Sequence, residues 1–234
     1  MYLSRVMLNP QRRATRAWIS SPQRIHAAVL GGFPGAHIAD AGRVLWRLDQ
    51  SNHRNVLYIV SPMRPDFSHL VEDGGWSTEP AGVMDYAPFL ESIHAGQRYR
   101  FRLRANTVRS TKDRETSGPA TRGRVVNVGS RALQEDWLLT RAPALGFRIP
   151  ADDADLTDDS GEIIGRRNLV LTERNTLQFA RSTDGTRCNV TLATALFDGV
   201  LEVADPEALR RVLQRGVGRG KAYGCGLLTL APVT

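Results

Sequence analysis

Residues 97–108, QRYRFRLRANTV, alternate between two chemistries, with Tyr99, Phe101, Leu103 and Ala105 on one side and Arg98, Arg100, Arg102 and Arg104 on the other. Successive side chains of an extended chain point to opposite faces, so the run predicts a strand with one packed face and one cationic face. A packed face needs a covering layer, and the residues that follow supply one. A Ser, Thr, Gly and Arg-rich stretch at 110–124 reads as a loop, and a helix containing Trp137, Leu138 and Leu139 follows around 130–141. The acidic, turn-rich ADDADLTDDSGE at 151–162 predicts an exposed loop. Several strand-like runs come next, with Asp184-Gly185 as a hairpin turn. Asp205 and Pro206 then start the helix EALRRVLQRG, and after VGRGKAYGCG the chain reaches a last strand, LLTLAPV.

Working back toward the N-terminus, the same grammar appears once more. YLSRVML at 2–8 alternates like a half-buried strand that Asn9, Pro10 and Gln11 end. A helix capped by Ser21, with Pro22 in its first turn, carries Ile25, Ala28, Val29 and Gly32 or Phe33 on one face. RVLWRLD at 43–49 and NVLYIVSP at 55–62 form a strand pair about a turn with Asn52 and His53, and Asp66 to Val71 form a short helix. Gly74, Gly75, Pro80 and Gly82 make the next stretch irregular. Two successive strand-and-helix patterns define an α+β class and point to two ferredoxin-like sandwiches in tandem, residues 1–92 and 93–234. A single larger α+β domain is the alternative.

The 234 residues are 41% hydrophobic, enough for a core, and carry a net charge of +7. A pI near 10.1 lies above the value of about 9 that marks nucleic-acid-binding domains, so an acidic polymer is the expected partner. Of 31 basic residues only Lys112 and Lys221 are lysines, and the guanidinium groups of the other 29 pair with phosphate through two hydrogen bonds and stack on bases. An arginine-rich solvated surface fits the composition equally well. No apolar leader core follows Met1 and no run approaches the roughly 18 apolar residues of a membrane span, which predicts a cytoplasmic protein without membrane contact. Cys188 and Cys225 are distant and form no CxxC pair, so both read as reduced packing residues.

The histidines His26, His37, His53, His69 and His94 show neither HxxxH nor HExxH spacing, and the carboxylates form no two-metal cluster. Metal-dependent hydrolysis is therefore not expected, nor is any cofactor. His26 lies at the flank of the Ile25/Val29 stripe, with Gln23 on the same side one turn earlier. Helical geometry alone favours a partly buried structural histidine there over a catalytic one. The run with Gly216, Gly218, Gly220, Gly224 and Gly226 fails as a phosphate loop of the nucleotide-binding kind. No Ser or Thr follows Lys221, and the run lies after a helix and before a strand. Two readings remain: a tight turn, or a loop that approaches a phosphodiester closely, with Arg219 and Lys221 as donors.

YLSRVMLNP, His26 within SPQRIH, VLWRLD, RFRLRAN and GVGRGKAYGCGLLTLAP, in this order, resemble the CasE family of CRISPR repeat-RNA endoribonucleases over essentially the whole chain. The resemblance implies two tandem ferredoxin-like domains of the RNA-recognition-motif type. It implies metal-independent cleavage of the CRISPR precursor RNA at the base of the repeat stem-loop, with the mature guide RNA retained beside the other subunits of the type I-E surveillance complex. It places His26 on the catalytic histidine, acting on a 2′-hydroxyl that attacks the adjacent phosphorus to leave a 2′,3′-cyclic phosphate and a 5′-hydroxyl; base and acid roles both stay open. The family commonly has tyrosine where this chain has Gln23, which cannot supply a phenol proton. Thr107 replaces the proline usual after RFRLRAN. The resemblance further implies RNA contacts from Arg181 and Arg187 beside the hairpin turn, and from the glycine-rich loop with Arg219 and Lys221. Arg102, Arg104, Arg122 and Arg124 are added candidates. A non-catalytic scaffold that binds the RNA hairpin is the alternative function.

Overall fold

Strand β1 (Tyr2–Leu8) buries Ser4, Val6 and Leu8 on one side, as its alternation requires. It lies at the centre of an antiparallel sheet between β3 (Asn55–Ser61) and β4 (Gly82–Asp85), and β2 (Leu45–Gln50) pairs with β3 to complete the order β2-β3-β1-β4. The computed structural model describes residues 1–33, 42–51, 54–111, 124–150, 168–183 and 186–233; at 110, 111, 124, 125, 180–183 and 186–188 it describes the backbone alone. The acidic run at 151–162, His37, His53, Lys112, Arg122 and the Asp184-Gly185 turn lie outside the described residues.

The second sheet repeats the plan. Strand β5 (Arg98–Asn106) lies between β11 (Leu228–Pro232) and β10 (Thr186–Val203), and β9 (Leu169–Thr183) pairs along β10 in a long antiparallel hairpin. The two-residue β8 (Phe147–Arg148) pairs with the end of β10. In each sheet the first strand of its half is flanked by the last two strands of that half, which is the ferredoxin-like order expected from the two strand-and-helix patterns. Tyr99, Phe101, Leu103 and Ala105 are buried as the alternation predicts. The arginine face of β5 is largely neutralised: Arg98 meets Glu202 at 3.1 Å, Arg102 meets Asp198 at 2.6 Å and Arg104 meets Glu173 at 2.8 Å. The partners come from β9 and β10, which sequence spacing could not align with β5.

Six α-helices are described: α1 (Arg13–Ile19), α2 (Pro22–Leu30), α3 (Ser68–Gly74), α4 (Ala87–Glu91), α5 (Arg131–Leu139) and α6 (Pro206–Arg215). Among the described residues no helix is long and apolar enough to cross a membrane. Ser21 occupies the N-cap of α2 without a side-chain cap bond, so Pro22 and the buried Ile25 and Val29 account for that helix. Helix α1 was not expected, because its seven residues have neither a cap nor an apolar period. Tertiary contacts hold it: Thr15 Oγ1 donates to Gly74 O at 2.6 Å, and a Cβ on Gly74 would lie 2.2 Å from the Trp18 ring. Strand β4 and helix α4, four and five residues long, fall in or just after the stretch that reads as irregular. The ends of the stretch read as a loop at 110–124 also join a small hairpin, β6 (Val108–Thr111) with β7 (Arg124–Asn127).

Helix α6 shows how sequence fixes a boundary. Asp205 accepts a hydrogen bond from the Ala208 N–H at 3.0 Å, while Leu209 and Leu213 are fully buried. Asp205→Ala should lower stability by about 0.5–2 kcal/mol with an unchanged denaturant slope, read from the urea midpoint.

The strand that links the halves is β2. Its alternation sends Leu45 and Arg47 to one side and Trp46 to the other. Leu45 joins Val60, Phe101, Leu103, Trp137 and Phe197 in one apolar cluster, whereas Trp46 joins Ile25, Val29, Leu57 and Phe67 in another. The first sheet is thus covered by its own helices on one face and by the second half on the other.

Candidate active site

Helix α2 carries His26 half-buried beside the fully packed Ile25 and Val29. The indole N–H of Trp46 donates to His26 Nδ1 at 3.1 Å. That bond fixes the ring plane and requires Nδ1 to be unprotonated, which leaves Nε2 as the protonated nitrogen of the neutral imidazole. Burial pushes the His26 pKa below its ordinary value of 6.5, so the neutral ring is the resting form near neutral pH.

His26 lines a groove together with Leu30, Arg43, Val44, Lys221 and Ala222. Lys221 belongs to a short 3-10 turn, residues 221–223, within the glycine-rich run. Its ammonium donates to Gly218 O at 2.7 Å, and burial together with the nearby Arg43 charge lowers its pKa. Two cations and a neutral imidazole on one groove suit an anionic ligand such as a phosphodiester. Gln23 is half-buried one turn before His26. His69 supports the far end of α2, its Nε2 lying 2.8 Å from Ala28 O.

All five glycines of the run, Gly216, Gly218, Gly220, Gly224 and Gly226, have positive φ. Three of them are also crowded. A Cβ on Gly226 would lie 2.5 Å from Val217 O, one on Gly224 would lie 2.6 Å from the Trp46 ring, and one on Gly216 would lie 2.8 Å from Leu45. The run is therefore a tight turn seated on β2, and the same seating brings Lys221 to the histidine groove. Arg219 faces elsewhere: it shares a second groove with Asn106, Val126, Asn127, Thr191 and Tyr223. Tyr223 packs edge-on to Phe179 of the long hairpin, with ring centroids 4.8 Å apart.

Of the other sequence-chosen arginines, Arg102 and Arg104 do not line the histidine groove. Arg102 is bound by Asp198 and Asp49, and Arg104 lines a cleft with Glu173, Trp46 and Tyr223. For Arg124, Arg181 and Arg187 the backbone lies in β7, β9 and β10, and their side chains are outside the description, as is all of Arg122. Sequence reasoning overlooked Arg43, Trp46 and Tyr223. Trp46 and Arg43 flank Val44 and Leu45 in a run read only as a strand, and nothing in its spacing points toward His26. Among the described residues no three His, Cys, Asp or Glu side chains converge as metal ligands. Cys225 is a free, buried thiol whose pKa burial raises to about 12, in keeping with a packing role.

Fold and groove together define a tandem ferredoxin-like protein with one buried-flank histidine in a cationic groove. A family model described as CRISPR associated protein matches residues 1–232. The chain is 33% identical to the CRISPR-associated endoribonuclease Cse3 of Thermus thermophilus, covering 99% of this chain and all of that one. It is 27% identical to the CRISPR system Cascade subunit CasE of Escherichia coli K12 over the full length of both. A solved structure of CRISPR endoribonuclease Cse3 bound to a 19-nucleotide RNA superposes with a TM-score of 0.76 at 31% identity, covering 99% of this chain and all of that one. The chain belongs to the CRISPR associated protein family, in its CasE group.

Proposed function

We propose that this protein is an endoribonuclease that cuts CRISPR precursor RNA at the base of the repeat stem-loop and retains the product as a subunit of a type I-E surveillance complex. The observation that carries the reading is His26 in a groove with Arg43 and Lys221, in a chain similar over its full length to an RNA-bound endoribonuclease. The reaction runs without metal. The 2′-hydroxyl oxygen attacks the adjacent phosphorus, the P–O5′ bond breaks, and the products carry a 2′,3′-cyclic phosphate and a 5′-hydroxyl. Arg43 and Lys221 offset the charge that builds on the phosphoryl oxygens. The state of the His26 nitrogens decides whether the ring serves as a base or as a donor.

The long β9–β10 hairpin, with Arg181 and Arg187, engages the stem by shape and phosphate contacts, since the major groove of an RNA duplex is too narrow for base readout. Arg219 and Tyr223 bind the strand beyond the cut, and Arg102, Arg104, Arg122 and Arg124 extend the basic path. Gln23, in place of a phenol, favours a second reading in which the protein holds the hairpin without cutting. Incubation of the cognate repeat hairpin with the protein in excess EDTA separates the two. The expected result is scission of the all-ribose RNA and none of an RNA with a 2′-deoxy nucleotide at the scissile position. Tight binding without scission of either RNA would leave the scaffold reading.

A further inference from the structure

The geometry points to Trp46 as the positioning residue of His26, holding it as the Nε2–H tautomer so that it meets the scissile phosphate as a hydrogen-bond donor and not as a base. The inference rests on the cleavage reading above and specifies what its histidine does. Trp46 is 3% exposed, and its indole nitrogen has His26 Nδ1 as its partner at 3.1 Å. Its ring is clamped from behind by Gly224, where even a Cβ would intrude to 2.6 Å, and from the side by the Ile25/Val29 cluster. Trp46 therefore cannot turn away to release Nδ1. A base must present an unprotonated nitrogen, and the nitrogen of that kind is already engaged by the indole N–H.

The chemical step balances without a proton taken by His26. The O2′–P bond forms as the P–O5′ bond breaks, the 2′-hydroxyl proton passes to water, and the 5′-oxygen takes a proton from water. His26 keeps its proton and donates from Nε2 to the phosphate oxygen that gains charge, a role that a neutral imidazole can fill. Among the described residues, the other charged groups on the groove, Arg43 from the segment before β2 and Lys221 from the glycine-rich turn, are both cations, so neither favours protonation of the ring. Seating of the glycine-rich turn thus reaches the chemistry through one buried indole.

Two measurements test this. In the imidazole nitrogen-15 spectrum of the full-length protein, His26 should show an unprotonated Nδ1 and a protonated Nε2. Trp46→Phe keeps an aromatic ring but removes the donor. It should populate the Nδ1–H form, raise the His26 pKa because the neutral ring has lost its hydrogen bond, and slow single-turnover cleavage about tenfold at unchanged hairpin affinity. A wild-type His26 protonated at Nδ1 would overturn the inference, as would a folded Trp46→Phe protein whose tautomer, pKa and rate match wild type. If Trp46→Phe does not fold, the wild-type spectrum decides. If the wild type binds the hairpin without cutting it, the cleavage reading fails, and the spectrum still reports whether Trp46 sets the tautomer.

Discussion

His26→Asn should reduce cleavage of the repeat hairpin by about 10²–10⁴-fold, the range for a positioned proton-transfer or oxyanion-stabilising group, while hairpin affinity stays unchanged. Asparagine places its amide oxygen close to where Nδ1 stands, so the buried indole N–H of Trp46 keeps an acceptor, but the side chain stops short of Nε2. His26→Ala removes both functions. It should lose cleavage equally and in addition lose about 1–3 kcal/mol of stability, because a buried donor is left without a partner. Single-turnover rates with urea midpoints for the two variants check this, and wild-type cleavage by His26→Asn would remove His26 from the chemistry. The pH dependence has a definite sign. The folded-state pKa of His26 is depressed below 6.5, so its contribution to stability is present above that pH and is lost as pH falls through the folded pKa. His26→Asn should lack that component of acid sensitivity.

The two-sheet plan was legible because alternation survives wherever one face of a strand is packed. YRFRLRA declares a packed and a cationic side without reference to anything distant, and the structure buries Tyr99, Phe101, Leu103 and Ala105; YLSRVML alternates without naming its side, and the structure buries Ser4, Val6 and Leu8. Helix α1 and strand β4 were not legible for the opposite reason. Their residues lack caps and periodicity, and the features that hold them, Gly74 under Trp18 and the edge of β1, are far away in sequence. Helix propensity is a weak prior that such contacts override.

The site divides along the same line. His26 alone read as a structural residue at the edge of a packed stripe, and only the resemblance raised it above the other histidines. Its working environment is assembled from Arg43, Trp46 and Lys221, one residue before β2, one on β2 and one turn residue brought in from elsewhere in the chain. The glycine-rich run was ambiguous between a tight turn and a phosphate-approaching loop, and the structure has the turn. Positive φ at five glycines makes the turn, and the turn delivers Lys221 to the groove. Three arginines of β5 are ion-paired, and no local pattern announces Asp198, Glu173 and Glu202 as their partners.

Arg47→Met should destabilise the protein by about 3–5 kcal/mol, a large share of the roughly 5–15 kcal/mol that keeps a domain folded. The Arg47 side chain is 2% exposed and donates to both oxygens of Asp49, at 2.7 and 2.9 Å. It also reaches into the second sheet, donating to Arg102 O at 2.8 Å, Leu227 O at 3.1 Å and Thr229 Oγ1 at 2.9 Å. Methionine fills much of the volume but leaves Asp49, largely buried, with the longer 3.6 Å contact to Arg102 as its only ion pair among the described residues. Most of the loss is then the cost of a stranded carboxylate, so Arg47→Met with Asp49→Asn should recover part of it. Urea midpoints of the single and double variants measure that coupling, and equal midpoints would show that Asp49 does not need Arg47. Cleavage should weaken along with stability in Arg47→Met. Trp46 is its neighbour on β2, and the contacts that tie β2 to β5 and β11 also keep Trp46 seated between Gly224 and His26.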